Sequence, residues 1–328
     1  MALLTIKNVR IAGLAAAVPP PVSMNGSGIR RRAKEGQCQS DFCAEAAARV
    51  MAELGWSFGE IDAVVMATVT PDYPIPPTAI ILQARLGVPK TAVAFDIVSR
   101  DLGFLHGLQV ASSFLATGFL KKALLFAGSV SKTVDDSNMG KAMRMLPGDN
   151  GCVCALEYRE GSPAMIFDSG GDGAGLDIFN LAVGGARRPP KADLYADEAS
   201  MRTANDYIHD QKHVRDVAAI VLPESLRRVL NAGGRGEVDG CYFTAMDKEA
   251  EASLRASLGF GADQLQTYVG TYGDAASGSL PLAMVAAAAS QLRSGPRTSL
   301  LGGIGPGLAW GSAIVSTDGI VCPDVMEI

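Results

Sequence analysis

The chain has 328 residues, 48% of them hydrophobic and 19% charged, with a formal net charge of −5. That length can bury one large core or two joined ones, and the acidic balance argues against nucleic acid as a partner, since phosphate binding needs a basic footprint. No stretch approaches the roughly 20 apolar residues of a membrane helix, and Lys7 comes too early for a signal peptide, so a cytoplasmic protein with no membrane partner is expected.

The first half reads as alternating helices and strands. A strand runs from Ile6 to Leu14, and the segment Ala15–Ser27 reads as a loop. An amphipathic helix covers Asp41 to Leu54, and the β-branched run Ile61–Val69 is a buried strand. A long helix from Leu102 to Leu115 follows, then strands at Lys122–Ser129 and Gly151–Glu157. On the last of these, Cys152 and Cys154 face the same way. Together with Cys38, Cys43, Cys241 and Cys322 they show no repeated ligand spacing, so buried free thiols are expected and no metal.

The second half repeats the order. A helix runs from Val217 through Leu230, a strand covers Gly240–Thr244, and an alanine-rich helix spans Leu280 to Leu292. Strands at Thr298–Gly303 and Trp310–Val315 complete it. The small-residue stretch Ala111–Gly118 followed by Leu124–Gly128 matches Ala288–Gly295 followed by Leu300–Gly303. Both pairs show a helix, a glycine stop and a buried strand, so the chain reads as two copies of one α/β unit, residues 1–170 and 171–328. Helices apolar on nearly every face suit a layer sandwiched between sheets.

Several blocks in one order carry a resemblance. They are Gly28–Arg32, Ala67–Tyr73, Pro76–Ala79, Gln83–Gly87, Ala94–Asp96, Gly148–Gly151 and Gly303–Gly311. Together they resemble the ketosynthase III branch (3-oxoacyl-[acyl-carrier-protein] synthase III) of the thiolase superfamily. The resemblance implies a five-layered αβαβα fold built from two pseudo-repeated halves. It also implies a dimer in which the loop after Thr70–Asp72 reaches the partner's pocket, and acyl-CoA or an acyl carrier protein as partner.

The family's chemistry uses a cysteine at a helix N-terminus to accept an acyl group, while a histidine and an asparagine stabilise the carbanion from decarboxylation. The resemblance places Asp101 at the cysteine, Ala245 at the histidine and Asp274 at the asparagine. Arg100, Tyr73, His209, Ala245 and Met246 fall on pocket positions. No cofactor is expected. With Trp56 and Trp310 the only tryptophans, the tryptophan that helps clamp the adenine of coenzyme A in the family has no counterpart in Ala15–Ser27.

Two readings of the aspartates stand side by side. In one, Asp101 and Asp274 share a cavity and their pKa values split into a donor and a base, suiting hydrolysis or acyl transfer without decarboxylation. In the other, Asp101 caps the helix starting near Leu102 and Asp274 sits in a Gly-Asp turn. Arg100 could neutralise either carboxylate. Ser99 lies two residues before the nucleophile position, His106 falls on a different helix face from Asp101, and His209 with His213 has a weak i, i+4 metal spacing. Two functions follow: a non-condensing subunit paired with an intact homologue, or a divergent acyltransferase or hydrolase. The assembly is a homodimer or such a heterodimer.

Overall fold

The computed structural model describes residues 3–24, 28–131, 148–181, 185–189, 207–234, 238–244, 246, 248–259, 265–266 and 269–328. Within these, strands β1 (Leu4–Ile6), β2 (Val9–Val18), β3 (Pro21–Met24) and β4 (Gly28–Arg31) come first. Helix α1 (Gln39–Leu54), β5 (Ala63–Thr68), α2 (Thr78–Leu86), β6 (Val93–Val98), α3 (Gly103–Ala116), β7 (Lys122–Ser129) and β8 (Asn150–Tyr158) follow. The chain continues with β9 (Met165–Gly171), β10 (Phe179–Leu181), β11 (Tyr207–His209), α4 (Gln211–Ala232), β12 (Gly240–Phe243), α5 (Lys248–Leu258) and β13 (Leu265–Gln266). It ends with the short α6 (Val269–Tyr272), α7 (Ser279–Ser294), β14 (Pro296–Gly305), β15 (Ala309–Asp318) and β16 (Met326–Glu327).

Two six-stranded sheets form the frame, in the orders β16-β2-β8-β7-β5-β6 and β1-β9-β15-β14-β12-β13. Each contains parallel and antiparallel pairs, with β5 parallel to both β6 and β7 and β14 antiparallel to β15. The period-2 alternation of side chains divides each sheet between two cores. In the first sheet Val65, Leu125 and Cys154 face α3 and α7, whereas Val64, Met66, Leu124 and Phe126 face α1 and α2. In the second, Phe167, Tyr242 and Leu301 face α3 and α7, whereas Cys241, Phe243 and Leu300 pack against Leu222, Leu226 and Val229 of α4 and Leu254 of α5. Five layers result, with α3 and α7 in the middle, as the resemblance implied.

The middle position explains the composition of these two helices. A helix covered by sheets on two sides has little room for charge, and α3 reads Gly-Phe-Leu-His-Gly-Leu-Gln-Val-Ala-Ser-Ser-Phe-Leu-Ala. A Cβ on Gly107 would stand 2.4 Å from Leu125 Cδ1, so the helix rests on β7 through a bare backbone.

One ion pair ties the second outer layer down. Asp168 of β9 is buried and accepts from Arg228 Nη2 and Ser225 Oγ, both of α4, each at 2.6 Å. Ser225 also lies 2.7 Å from Ser312 Oγ of β15. The carboxylate is thus fully engaged where an unpaired one would oppose folding.

Some boundaries differ from the sequence expectations. The expected strand Ile6–Leu14 is two strands, β1 and β2, lying in different sheets. The segment read as a loop contains the end of β2 and strand β3, which pairs antiparallel with β4 just beyond it, Pro21 with Arg31 and Met24 with Gly28. The helix expected from Val217 begins six residues earlier, at Gln211, because Asp210 accepts from the His213 N–H and caps it. None of the six cysteines is in a disulfide among the described residues, and all but Cys38 are buried.

Candidate active site

The site is built where β6 hands over to α3. Val98, the last residue of β6, is 86% exposed, whereas Asp101, three residues on, is 4% exposed. The chain therefore dives through Ser99 and Arg100 into the space between the sheets before α3 begins at Gly103. Gly305, at the end of β14, closes the far side: a Cβ there would approach Asp101 Oδ2 to 3.2 Å. Asp274 arrives from the second unit, just before the 3₁₀ turn Ala276–Gly278 that leads into α7. Each aspartate thus stands in the approach to one of the two middle helices, where the positive end of the helix dipole favours a carboxylate.

Arg100 joins them. Its Nη1 donates to Asp101 Oδ1, and its Nη2 donates to Asp274 Oδ2 at 2.6 Å. Asp274 Oδ1 accepts the Ala276 N–H at 2.9 Å, fixing the carboxylate in its turn. Asp101 Oδ2, by contrast, is buried without a hydrogen-bond partner among the described residues. Burial pushes the Asp101 pKa up to about 6; Arg100 opposes that rise and the neighbouring Asp274 charge adds to it.

The expected helix cap at Asp101 is not made. The N-cap of α3 is Leu102, without a side-chain cap bond. A guanidinium beside a carboxylate in a dry setting outcompetes a single neutral N–H, so the side chain turns to Arg100 instead. The Gly-Asp turn expected at Asp274 is present, with Gly273 at φ 79°.

Beyond Arg100 lies an aromatic pair. The guanidinium carbon is 5.8 Å from the centroid of Phe179, and the Phe179 ring stacks on His209 at 4.3 Å. His209 has its pKa lowered, first by burial and then by the Arg100 charge, which favours the neutral imidazole. Phe179 was not singled out in the sequence; nothing in its neighbours marks it. On the other side of the β6–α3 junction, Ser99 Oγ lies 3.1 Å from His106 Nδ1, and Ser277 Oγ donates to the Ser99 carbonyl at 2.7 Å.

This placement of a polar cluster between two pseudo-repeated halves can be set beside known proteins. A family model described as 3-oxoacyl-[acyl-carrier-protein (ACP)] synthase III matches residues 95–174, and its C-terminal counterpart matches residues 234–317. A β-ketoacyl-[acyl-carrier-protein] synthase III of Desulfitobacterium hafniense is 31% identical over 301 residues, covering 90% of this chain and 88% of that protein. The chain belongs to the 3-oxoacyl-[acyl-carrier-protein] synthase III family. Another such synthase, from Rhodopirellula baltica, is 30% identical over 350 residues, covering 94% of this chain and 98% of that one. The crystal structure of a 3-oxoacyl-(acyl-carrier protein) synthase from Burkholderia xenovorans superposes with a TM-score of 0.89 at 27% identity, covering 100% of this chain and 99% of that one.

In this synthase III fold the remaining expected pocket residues are scattered. Met246 is half-buried against the core between α4 and the second sheet. Tyr73 is 60% exposed in the segment joining β5 to α2, apart from the Arg100 cluster on this chain. Ala245 lies outside the described residues. His209 is in β11 and His213 in the first turn of α4, so the two do not share a helix; His213 lines a surface groove with Asp210, Lys212 and Asp216. No group of three metal-ligating side chains occurs among the described residues, and none of their helices is long and apolar enough to cross a membrane.

Proposed function

We propose that this chain is a non-condensing subunit of an acyl-condensing complex of fatty acid or polyketide type, paired with a homologue that retains the nucleophile. In this reading Asp101 takes the place of the acyl-accepting cysteine, Ala245 that of the histidine and Asp274 that of the asparagine. The observation that carries it is the Arg100 bridge. One guanidinium bridges both carboxylates, so each stands in an ion pair at its helix entrance. A carboxylate is a poor acyl acceptor, and Asp274 brings negative charge where a developing enolate needs a donor. Burial raises the pKa of Cys43, Cys152, Cys154, Cys241 and Cys322, which keeps these thiols protonated.

The surface supports pairing. Strand β6 is the edge of the first sheet and leaves Val93 43% and Val98 86% exposed. Tyr73 and Ile75 stand on the β5–α2 segment at 60% and 83% exposure, which suits a contact with a neighbouring chain. The relatives named above are acyl-carrier-protein synthases by name, which supports a role with acyl groups on a carrier protein.

One observation favours a second reading, a hydrolase or acyltransferase using Asp101 and Asp274. Asp101 combines a pKa of about 6 with an oxygen that has no partner among the described residues, the properties of a proton donor near neutral pH. The deciding experiment measures product from acyl-CoA and acyl-carrier substrates with the chain alone and with a co-encoded homologue. Activity of the chain alone that is lost in Asp101→Ala or Asp274→Ala overturns the subunit reading. Condensation that needs both chains and survives Asp101→Ala establishes it.

A further inference from the structure

The Ser99–His106 contact is used by neither reading. The two residues lie seven apart, one leaving β6 and the other in the second turn of α3, and the strand-to-helix turn folds them onto each other. We propose that Ser99 and His106 form a nucleophile–base dyad that accepts acyl groups from activated esters and thioesters and releases them to water.

Four observations support this. The 3.1 Å separation of Ser99 Oγ and His106 Nδ1 is within reach of proton transfer. The backbone of Ser99 is pinned, because its carbonyl accepts from Ser277 Oγ at 2.7 Å, so the hydroxyl is presented from a fixed position. Both side chains are half-buried, so neither is sealed inside the core. Burial lowers the pKa of His106, which keeps the imidazole neutral and able to take a proton at neutral pH.

The chemistry balances with water as the only co-reactant. Ser99 Oγ bonds to the acyl carbonyl carbon as its proton passes to His106 Nδ1. The bond from that carbon to the leaving sulfur or oxygen breaks, and the leaving group takes the proton from the imidazolium. Water then attacks the acyl-serine, giving its proton to His106, and the serine leaves as the alkoxide that recovers it. The sum is an ester or thioester plus water giving a carboxylic acid plus an alcohol or thiol. Nothing in this sequence uses Asp101, Asp274 or a second chain.

The test is covalent labelling of the full chain with a fluorophosphonate probe, located by peptide mass spectrometry, beside release of nitrophenol from p-nitrophenyl acetate. Ser99 is the expected labelled residue, Ser99→Ala abolishes both signals, and His106→Gln slows labelling by about 10²-fold, the usual contribution of a general base. A wild-type protein that is not labelled at Ser99, or one labelled equally fast with His106→Gln, overturns the proposal. The wild-type result needs no variant to fold.

Discussion

Arg100 of the first unit and Asp274 of the second are joined by a 2.6 Å hydrogen-bonded ion pair across 174 residues of sequence. With Asp101 on the same guanidinium, the pair links the entrances of the two central helices. It therefore bears on stability and on chemistry together.

Removing the shared cation is the most disruptive change. Arg100→Ala leaves Asp101 and Asp274 facing each other in a buried space, and truncating one partner of a buried charge pair costs about 3–5 kcal/mol. Urea denaturation reads the loss. Adding Asp101→Asn and Asp274→Asn to Arg100→Ala restores most of it, since no uncompensated charge remains.

Asp101 gives stability a defined pH dependence. An aspartate titrates near 3.8 in the unfolded chain and at about 6 in the fold. Between those values the folded protein keeps a proton the unfolded chain has released. The stabilisation is complete below the lower value and is lost as pH rises through the upper one, in total about 3 kcal/mol at about 1.4 kcal/mol per unit. Asp101→Asn lacks this titration. Its stability relative to wild type should therefore increase from about pH 4 to about pH 7, measured by urea midpoints at each pH.

On the proposed reading, a thiol placed at position 101 separates acyl loading from condensation. In Asp101→Cys the sulfur stands beside Arg100 and before α3, both of which favour thiolate. The variant should gain an acyl group from acetyl-CoA, seen by intact mass, yet form no condensed product with a malonyl thioester. Asp274 still opposes enolate charge there. Condensation by the single variant would show that the other positions suffice.

The outer helix layer hangs on another arginine. Arg228→Ala leaves the buried Asp168 with Ser225 Oγ as its remaining side-chain partner, so a loss of about 3 kcal/mol or more is expected. Asp168→Asn combined with Arg228→Ala should recover part of it. Circular dichroism during urea unfolding distinguishes the variants.

Much of the fold was legible in the sequence because its signals are local. The runs Ala63–Ala67 and Ala123–Ala127 are apolar throughout since each strand is buried on both faces, and α3 and α7 are rich in small residues since sheets press on them from two sides. The hairpin β3–β4 was missed because Pro20 and Pro21 suggest a loop, and β6 because it was noticed only as a motif. At the site, residue types were readable but directions were not. Which carboxylate Arg100 would meet depends on Asp274, supplied by the opposite half. Likewise, helical spacing alone sends His106 away from Asp101, yet the turn before α3 brings Ser99 round to it.

The two sheets exchange strands at their outer edges: β1 joins β9 in the second, and β16 joins β2 in the first. A ribosome releases the chain in order, so the first sheet lacks its outermost strand until Met326 and Glu327 have emerged. Arg31, which donates to Glu327 Oε1 at 2.5 Å, must wait equally long for that carboxylate. Such distant closures raise contact order and slow folding. Neither half should reach its final form during synthesis, and the Arg100 cluster between them should be among the last features to assemble.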